Sequence, residues 1–255
     1  MHHLLANKKG LVVGVANEAS IAWGCARAFR EQGAELAVTY LNDKARVHVQ
    51  PLAERLESPI FLPLDVTESS QQLALFEAIA TKWGRLDFLL HSIAFAPKVD
   101  LQGRVTDCSR EGFITAMDIS CHSLIRLAKS AEPLMKDGGS ILTLSYYGAN
   151  KVVTNYNLMG PVKAALESSV RYLAAELGRG QIRVNALSPG PVKTRAASGL
   201  TDFDELMSKA AETAPLGQIV TIEQIGEMAA FLVSDKARQV TGQIIYVDAG
   251  YNITG

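Results

Sequence analysis

Gly10-Leu11-Val12-Val13-Gly14-Val15-Ala16-Asn17-Glu18-Ala19-Ser20-Ile21-Ala22-Trp23-Gly24 decides the fold. It opens on an apolar run that does not alternate with polar residues, the pattern of a strand covered on both faces and hence of a parallel sheet. Gly14 ends the run, a turn of small residues follows, and Ser20 opens a helical pattern with Ile21, Cys25, Ala28 and Phe29 at helical spacing. Strand, glycine turn and helix N-terminus in that order form the first half of a βαβ unit.

Outward from this unit the pattern repeats. Strands are expected at 11–15, 35–40, 60–64, 86–91, 140–145, 182–187 and 243–247, with helical periodicity between them at 21–32, 72–83, 112–135 and 163–177. No low-complexity linker or fixed-period repeat interrupts the alternation. The economical architecture is one α/β domain over residues 1–255, a Rossmann-like doubly wound fold with a seven-stranded parallel sheet and helices on both faces.

Composition narrows the function classes. The 255 residues are 48% apolar and 20% charged, and 25 Lys+Arg stand against 26 Asp+Glu. A balanced charge argues against nucleic acid as a partner. No apolar run reaches membrane-span length, and the first ten residues lack the apolar core of a signal peptide. Cys25, Cys108 and Cys121 are scattered and form no CxxC pair, which fits reduced packing thiols in a cytoplasmic protein and no metal site.

In such a sheet ligands bind beyond the carboxyl ends of the strands. After the first strand, Gly14 and Ser20-Ile21-Ala22 lead into a helix whose free N–H groups would receive a pyrophosphate. Ser20 can cap that helix and donate to a phosphate oxygen, or serve as an ordinary N-cap. After the second strand, Tyr40-Leu41-Asn42-Asp43-Lys44 offers no cation at the strand end for a 2′-phosphate, so NADH is favoured over NADPH. Asp65-Val66 would edge the adenine, although Asp65 could equally start an Asx turn. Tyr156 and Lys163 lie seven residues apart. On one helix that spacing is about 700°, nearly two turns, and would put both on one face. A cation beside a phenol would favour phenolate character and strengthen hydrogen bonding to a developing oxyanion.

The chain as a whole resembles the short-chain dehydrogenase/reductase superfamily, and within it the divergent enoyl-acyl-carrier-protein reductases. The resemblance runs nearly end to end. It rests on Gly14-x5-Ser20-Ile21-Ala22, Asp65-Val66, His91-Ser92-Ile93-Ala94-Phe95-Ala96, Leu144-Ser145-Tyr146, Tyr156-x2-Met159-x3-Lys163, Arg183-Val184-Asn185-Ala186 and Asp202-Phe203. Commoner superfamily members carry Tyr-x3-Lys with a Ser thirteen positions before the Tyr. Here Met159 occupies the first position and Tyr146 the second, so the Tyr has moved by three residues and the Ser has become Tyr. The resemblance implies reduction of a trans-2-enoyl thioester by NADH, at the last step of fatty-acid elongation. Tyr146, Tyr156 and Lys163 would be catalytic, and Gly14, Ser20, Ile21, Asp65, Val66, Ser92, Ala94, Lys163, Val192 and Thr194 would contact the cofactor. Phe95, Ala96, Tyr146, Tyr156 and Phe203 would meet the acyl substrate. Residues 191–212 would cover it, or else form a plain surface helix. The resemblance further implies an acyl-carrier-protein substrate and a homotetramer. For the latter, the apolar character of 163–177 over much of its circumference speaks independently.

Several features depart from the family pattern. Ser188-Pro189-Gly190-Pro191 is the ketone-reductase form of that stretch. Gly160-Pro161 falls between Tyr156 and Lys163 and could kink a shared helix. The cover is acidic, with Asp202, Asp204 and Glu205 against Lys209, and Gly217-Gln218 replaces the usual Arg pair. An acidic carrier would then dock elsewhere, near Lys193 and Arg195, or the substrate is another enoyl thioester. A ketone or alcohol oxidoreductase stays open as the alternative.

Overall fold

The computed structural model describes residues 3–192, 194 and 203–254. Seven parallel strands form one sheet: β1 (Lys9–Val13), β2 (Glu35–Tyr40), β3 (Ile60–Pro63), β4 (Phe88–His91), β5 (Gly139–Leu144), β6 (Ile182–Pro189) and β7 (Ile244–Val247). Their spatial order is β3-β2-β1-β4-β5-β6-β7. The chain winds outward from β1 to β3, then crosses back to β4 on the other side of β1. The strand order therefore reverses between β1 and β4, and the ligand crevice of such a sheet opens there.

Strand residues alternate between two cores because successive side chains point to opposite faces. Val12, Val38, Leu90 and Leu142 pack with helices α1 (Ile21–Glu31), α2 (Asp43–Arg55) and, later in the chain, Ile222–Val233. Leu11, Ala37, Leu89 and Ile141 face α3 (Ser69–Trp83) and, further along, Ser123–Ala131 and Met159–Leu177. A sheet covered on both faces explains the unbroken apolar runs of β1 and β4.

The remaining helices are α4 (Lys98–Leu101), α5 (Arg110–Met117), α6 (Ser123–Ala131), α7 (Met159–Leu177), α8 (Phe203–Thr213), α9 (Ile222–Val233) and α10 (Tyr251–Thr254). The single helix expected over 112–135 is broken: a π-helical turn, Asp118–His122, joins α5 to α6. Phe113, placed by periodicity on the buried face, is 44% exposed. Helices α2 and α9 lie outside the stretches selected by periodicity. The first is polar and contains Pro51. The second starts at a Thr221–Gln224 capping box. Strand β1 ends two residues earlier than expected, which leaves Gly14 and Val15 in the turn, and β6 runs two residues further.

Candidate active site

Gly14 stands at the switch point with φ +109°, a conformation that L side chains rarely adopt. A Cβ there would lie 1.9 Å from the Ser92 carbonyl oxygen, because the turn after β1 presses on the turn after β4. Ser92 N in turn donates to Val13 O at 2.9 Å. The Gly14→Ala protein should lose about 3 kcal/mol of stability from strain and overpacking, read by equilibrium urea unfolding. An unchanged unfolding midpoint would contradict the close approach.

Ser20 occupies the N-cap of α1, but its side chain does not cap it. The hydroxyl donates to Asn17 O at 2.7 Å and accepts from Ala16 N at 3.4 Å. It shapes the turn in front of the helix, so the side-chain cap expected from sequence is corrected. Ile21 follows, half-buried. At the β2 end Asn42 caps α2 through Ala45 N at 3.0 Å. Sequence reading passed over Arg46, whose guanidinium lies 5.8 Å from the centre of the Tyr40 ring.

Beyond β3, Asp65 Oδ1 accepts from Thr67 N at 2.9 Å and Thr67 Oγ1 at 2.7 Å, the Asx turn named as its alternative role. The carbonyl of buried Val66 receives Arg126 Nη2 at 2.8 Å, and Arg126 Nη1 reaches Asp118 at 2.5 Å. The loop after β3 is thereby tied to the π turn. The same turn holds the β4 side. Ser120 Oγ accepts from Phe95 N at 2.8 Å and donates to Phe95 O at 2.9 Å. Phe95 is 49% exposed and Ala94 is exposed, whereas Ala96 is half-buried against the Tyr156 cluster. Neither the π turn nor Ser120 was singled out from sequence. The run of polar residues in Asp118-Ile119-Ser120-Cys121-His122-Ser123 was the available signal.

His91, fully buried, ends β4. Ser123 Oγ gives its proton to Ile119 O at 2.6 Å, so it accepts from His91 Nε2 at 2.8 Å. Nδ1 lies 2.8 Å from Thr143 Oγ1, whose hydroxyl also lies 3.2 Å from the His91 carbonyl. Burial, reinforced by the Lys163 charge, lowers the imidazole to about 3. The folded state keeps this ring neutral while the unfolded chain protonates it below about 6.5. Its contribution to stability is therefore complete above pH 6.5 and drains away as pH falls towards 3. Between these limits unfolding free energy should change by about 1.4 kcal/mol per pH unit on its account. The slope should be shallower by that amount in His91→Gln, and equal slopes would contradict the neutral buried ring.

The β5 end gathers the three residues expected to be catalytic. Lys163, 5% exposed on α7, donates from Nζ to Leu144 O at 2.7 Å. Tyr146 and Tyr156 pack edge to face with centroids 4.8 Å apart. Tyr156 also lies against Gly148, where a Cβ would come within 2.5 Å of its ring. However, Tyr156 is not on the Lys163 helix. α7 begins at Met159, and Tyr156 sits in the preceding turn between Asn155 (φ 64°) and Asn157 (φ 44°). The shared-face argument is thus corrected: two left-handed asparagines set the direction of Tyr156. Pro161 is the third residue of α7, in the first turn where its missing N–H has no intrahelical acceptor to lose. It causes no kink between the two residues.

The expected phenolate character is corrected as well. Burial raises Tyr156 well above the usual phenol range, with Tyr146 and Glu167 adding to the rise. Burial likewise raises Tyr146. Tyr156 is an O–H donor at neutral pH. Lys163 is lowered to about 8 by burial and remains largely an ammonium at pH 7.

Val192 is half-buried and packs on the α1 side of the sheet, and Thr194 is half-buried. Lys193 and residues 195–202 lie outside the described residues, so Arg195, the small stretch 196–199 and Asp202 carry no structural statement. Phe203 begins α8, and its side chain lies outside the described residues. Lys209, the lone basic residue of α8, pairs with Glu205 at 2.6 Å. Among the described residues no group of His, Cys, Asp or Glu could hold a metal, and no helix is long and apolar enough to cross a membrane.

A family model described as Enoyl-(Acyl carrier protein) reductase matches residues 14–252. The chain is 50% identical over 252 residues to the Rickettsia typhi protein named enoyl-[acyl-carrier-protein] reductase [NADH] FabI, covering 99% of this chain and 97% of that one. A Synechocystis protein of the same name is 50% identical over 254 residues, with 98% of each chain covered. Among solved structures, the Anaplasma phagocytophilum enoyl-(acyl-carrier-protein) reductase in complex with NAD superposes with TM-score 0.96 at 48% identity, over 100% of this chain and 97% of that one. The Bacillus cereus enoyl-acyl carrier protein reductase, solved with NADP+ and an indole naphthyridinone, gives 0.97 at 47%, over 99% of each. On this likeness along its whole length, the chain belongs to the enoyl-(acyl carrier protein) reductase family.

Proposed function

We propose that the chain reduces the trans-2 double bond of enoyl thioesters carried on acyl carrier protein, using NADH, at the closing step of fatty-acid elongation. The observation that carries this reading is the Tyr146–Tyr156 pair packed edge to face at the β5 end, where buried Lys163 holds the Leu144 carbonyl. The crevice suits a dinucleotide: Gly14, at φ +109°, turns the chain after β1, and that turn feeds directly into the N-terminus of α1. NADH, when bound, supplies hydride to the β-carbon.

The chain's own residues do the rest. Gly14, Ser20 and Ile21 border the pyrophosphate, and Asp65 and Val66 the adenine. Ser92, Ala94, Val192 and Thr194 line the path to the nicotinamide. Lys163 holds the adjacent ribose. Negative charge collects on the thioester oxygen rather than at the carbon reduced, and Tyr156, a protonated phenol, donates to that oxygen. Tyr146 orients the thioester through its contact with Tyr156. Phe95, Ala96 and Phe203 border the acyl chain, with 191–212 as its cover. Residues 1–255 act as one domain.

The chain acts as a homotetramer in the cytoplasm. Exposed Phe113, Ile114, Ile125 and Tyr172 on α5, α6 and α7 support association, and three unpaired cysteines support a reducing compartment. The deciding comparison is NADH oxidation with crotonyl or dodecenoyl thioester against acetoacetyl thioester. The enoyl substrates should be consumed and the acetoacetyl thioester left untouched. Faster oxidation with acetoacetyl thioester would make the chain a ketone reductase.

A further inference from the structure

Glu167 is buried at 4% exposure on α7, one turn beyond Lys163. A carboxylate so far from water is costly unless its lone pairs are used. Two side chains use them: Ser145 Oγ donates to Oε1 at 2.6 Å, and Asn150 Nδ2 donates to Oε2 at 3.0 Å. Asn150 Nδ2 also lies 3.1 Å from Tyr246 OH on β7. Ser145 follows the last residue of β5, and Asn150 follows the short turn Tyr147–Ala149. Glu167 therefore pins both ends of the segment that carries Tyr146. Lys163 grips the carbonyl of Leu144, the residue before Ser145. Helix α7 thus holds two consecutive residues of the β5 end, one through a cation and one through an anion.

We infer that Glu167 is a positioning residue of this site: its carboxylate fixes the segment bearing Tyr146 and supplies the negative charge that faces the Lys163 ammonium. The inference rests on Lys163 holding the cofactor, as proposed above. The groups acting on Lys163 are the Cys121 thiol from the π turn, the neutral His91 ring from β4 and Glu167 from its own helix. Glu167 is the carboxylate among them, and it raises Lys163 against the lowering by burial. Around Glu167, burial pushes Tyr156 and Tyr246 upward, and the Glu167 charge adds to the rise of both.

The test is the pH dependence of NADH affinity in the full-length protein. Wild-type affinity should fall as pH rises through about 8, where the free protein loses the Lys163 ammonium. In Glu167→Gln the midpoint should move down, with affinity weaker near neutrality. Glu167→Asp keeps the charge and should keep the midpoint, while kcat falls because the grip on Ser145 and Asn150 loosens. If the Gln variant fails to fold, Glu167→Met, uncharged and close in volume, takes its place. A midpoint unmoved by loss of the charge, with only thermal stability reduced, would overturn the inference. A Lys163→Met protein that kept the wild-type profile would instead refute the placement of Lys163 itself.

Discussion

The Lys163→Met protein should fold, bind NADH at least about ten-fold more weakly, and reduce enoyl thioesters at a rate lower by about three orders of magnitude. The fold should survive because the methionine stem occupies the same channel along α7. Its main loss is the 2.7 Å bond to the Leu144 carbonyl, and a buried acceptor left unpaired costs about 1–3 kcal/mol. Against that stands a gain. Holding an ammonium where burial lowers it to about 8, some two and a half units below its ordinary value, costs the folded state about 3 kcal/mol at neutral pH. The two terms are of similar size, so thermal stability should change little while function disappears. The sign of the pH dependence follows. Below about pH 8 wild-type Lys163 carries the charge proposed to hold the ribose, and above it the charge is lost, so kcat/KM should decline on the alkaline side. That limb should vanish in the variant. A variant as active as wild type, or one that retains the alkaline limb, would remove Lys163 from the site.

Tyr156→Phe should lower kcat by about 10²–10³-fold, the usual cost of removing one donor to a developing oxyanion. NADH affinity and thermal stability should stay near wild type. The ring is what packs: it meets Tyr146 edge to face and lies against Gly148, and Phe keeps both contacts. Because burial keeps the phenol protonated, this residue acts through its proton, and no rise in activity is expected at high pH from ionising it.

The turn after β1 was legible because it is local: an apolar run, a glycine and a helix opener, each with its own backbone reason. The strands were legible as short apolar stretches between helical patterns, and β1 and β4 as the unbroken apolar runs that a doubly covered sheet demands. The Tyr146 substitution and the displaced Tyr156 were visible by counting from Lys163. What counting could not supply was the path of the chain between Tyr156 and Met159. Seven residues on a helix give one answer and a turn with two left-handed asparagines gives another, and only the packing of Tyr156 against Tyr146 and Gly148 selects between them. The π turn escaped because Phe113, Met117, Cys121 and Leu124 keep helical spacing in sequence while the backbone inserts an extra residue per turn. Helix α9 was open to reading: Thr221 and Gln224 form a capping box just ahead of Ile225, Met228, Ala229 and Leu232 at helical spacing. The charge states of Tyr156 and Lys163 depend on burial, which no spacing rule contains. Glu167 reads as an ordinary solvent-facing residue of an amphipathic helix until its partners from β5 and the following turn are in place.

The account stands or falls on the Tyr156 proton meeting the thioester oxygen. The direct measurement is single-turnover hydride transfer from saturating NADH to a trans-2-enoyl thioester, wild type against Tyr156→Phe, with the NADH dissociation constant measured for each. The transfer rate should fall by at least about 100-fold at unchanged NADH affinity. A rate within a few-fold of wild type, or a fall matched by an equal loss of NADH binding, would contradict it.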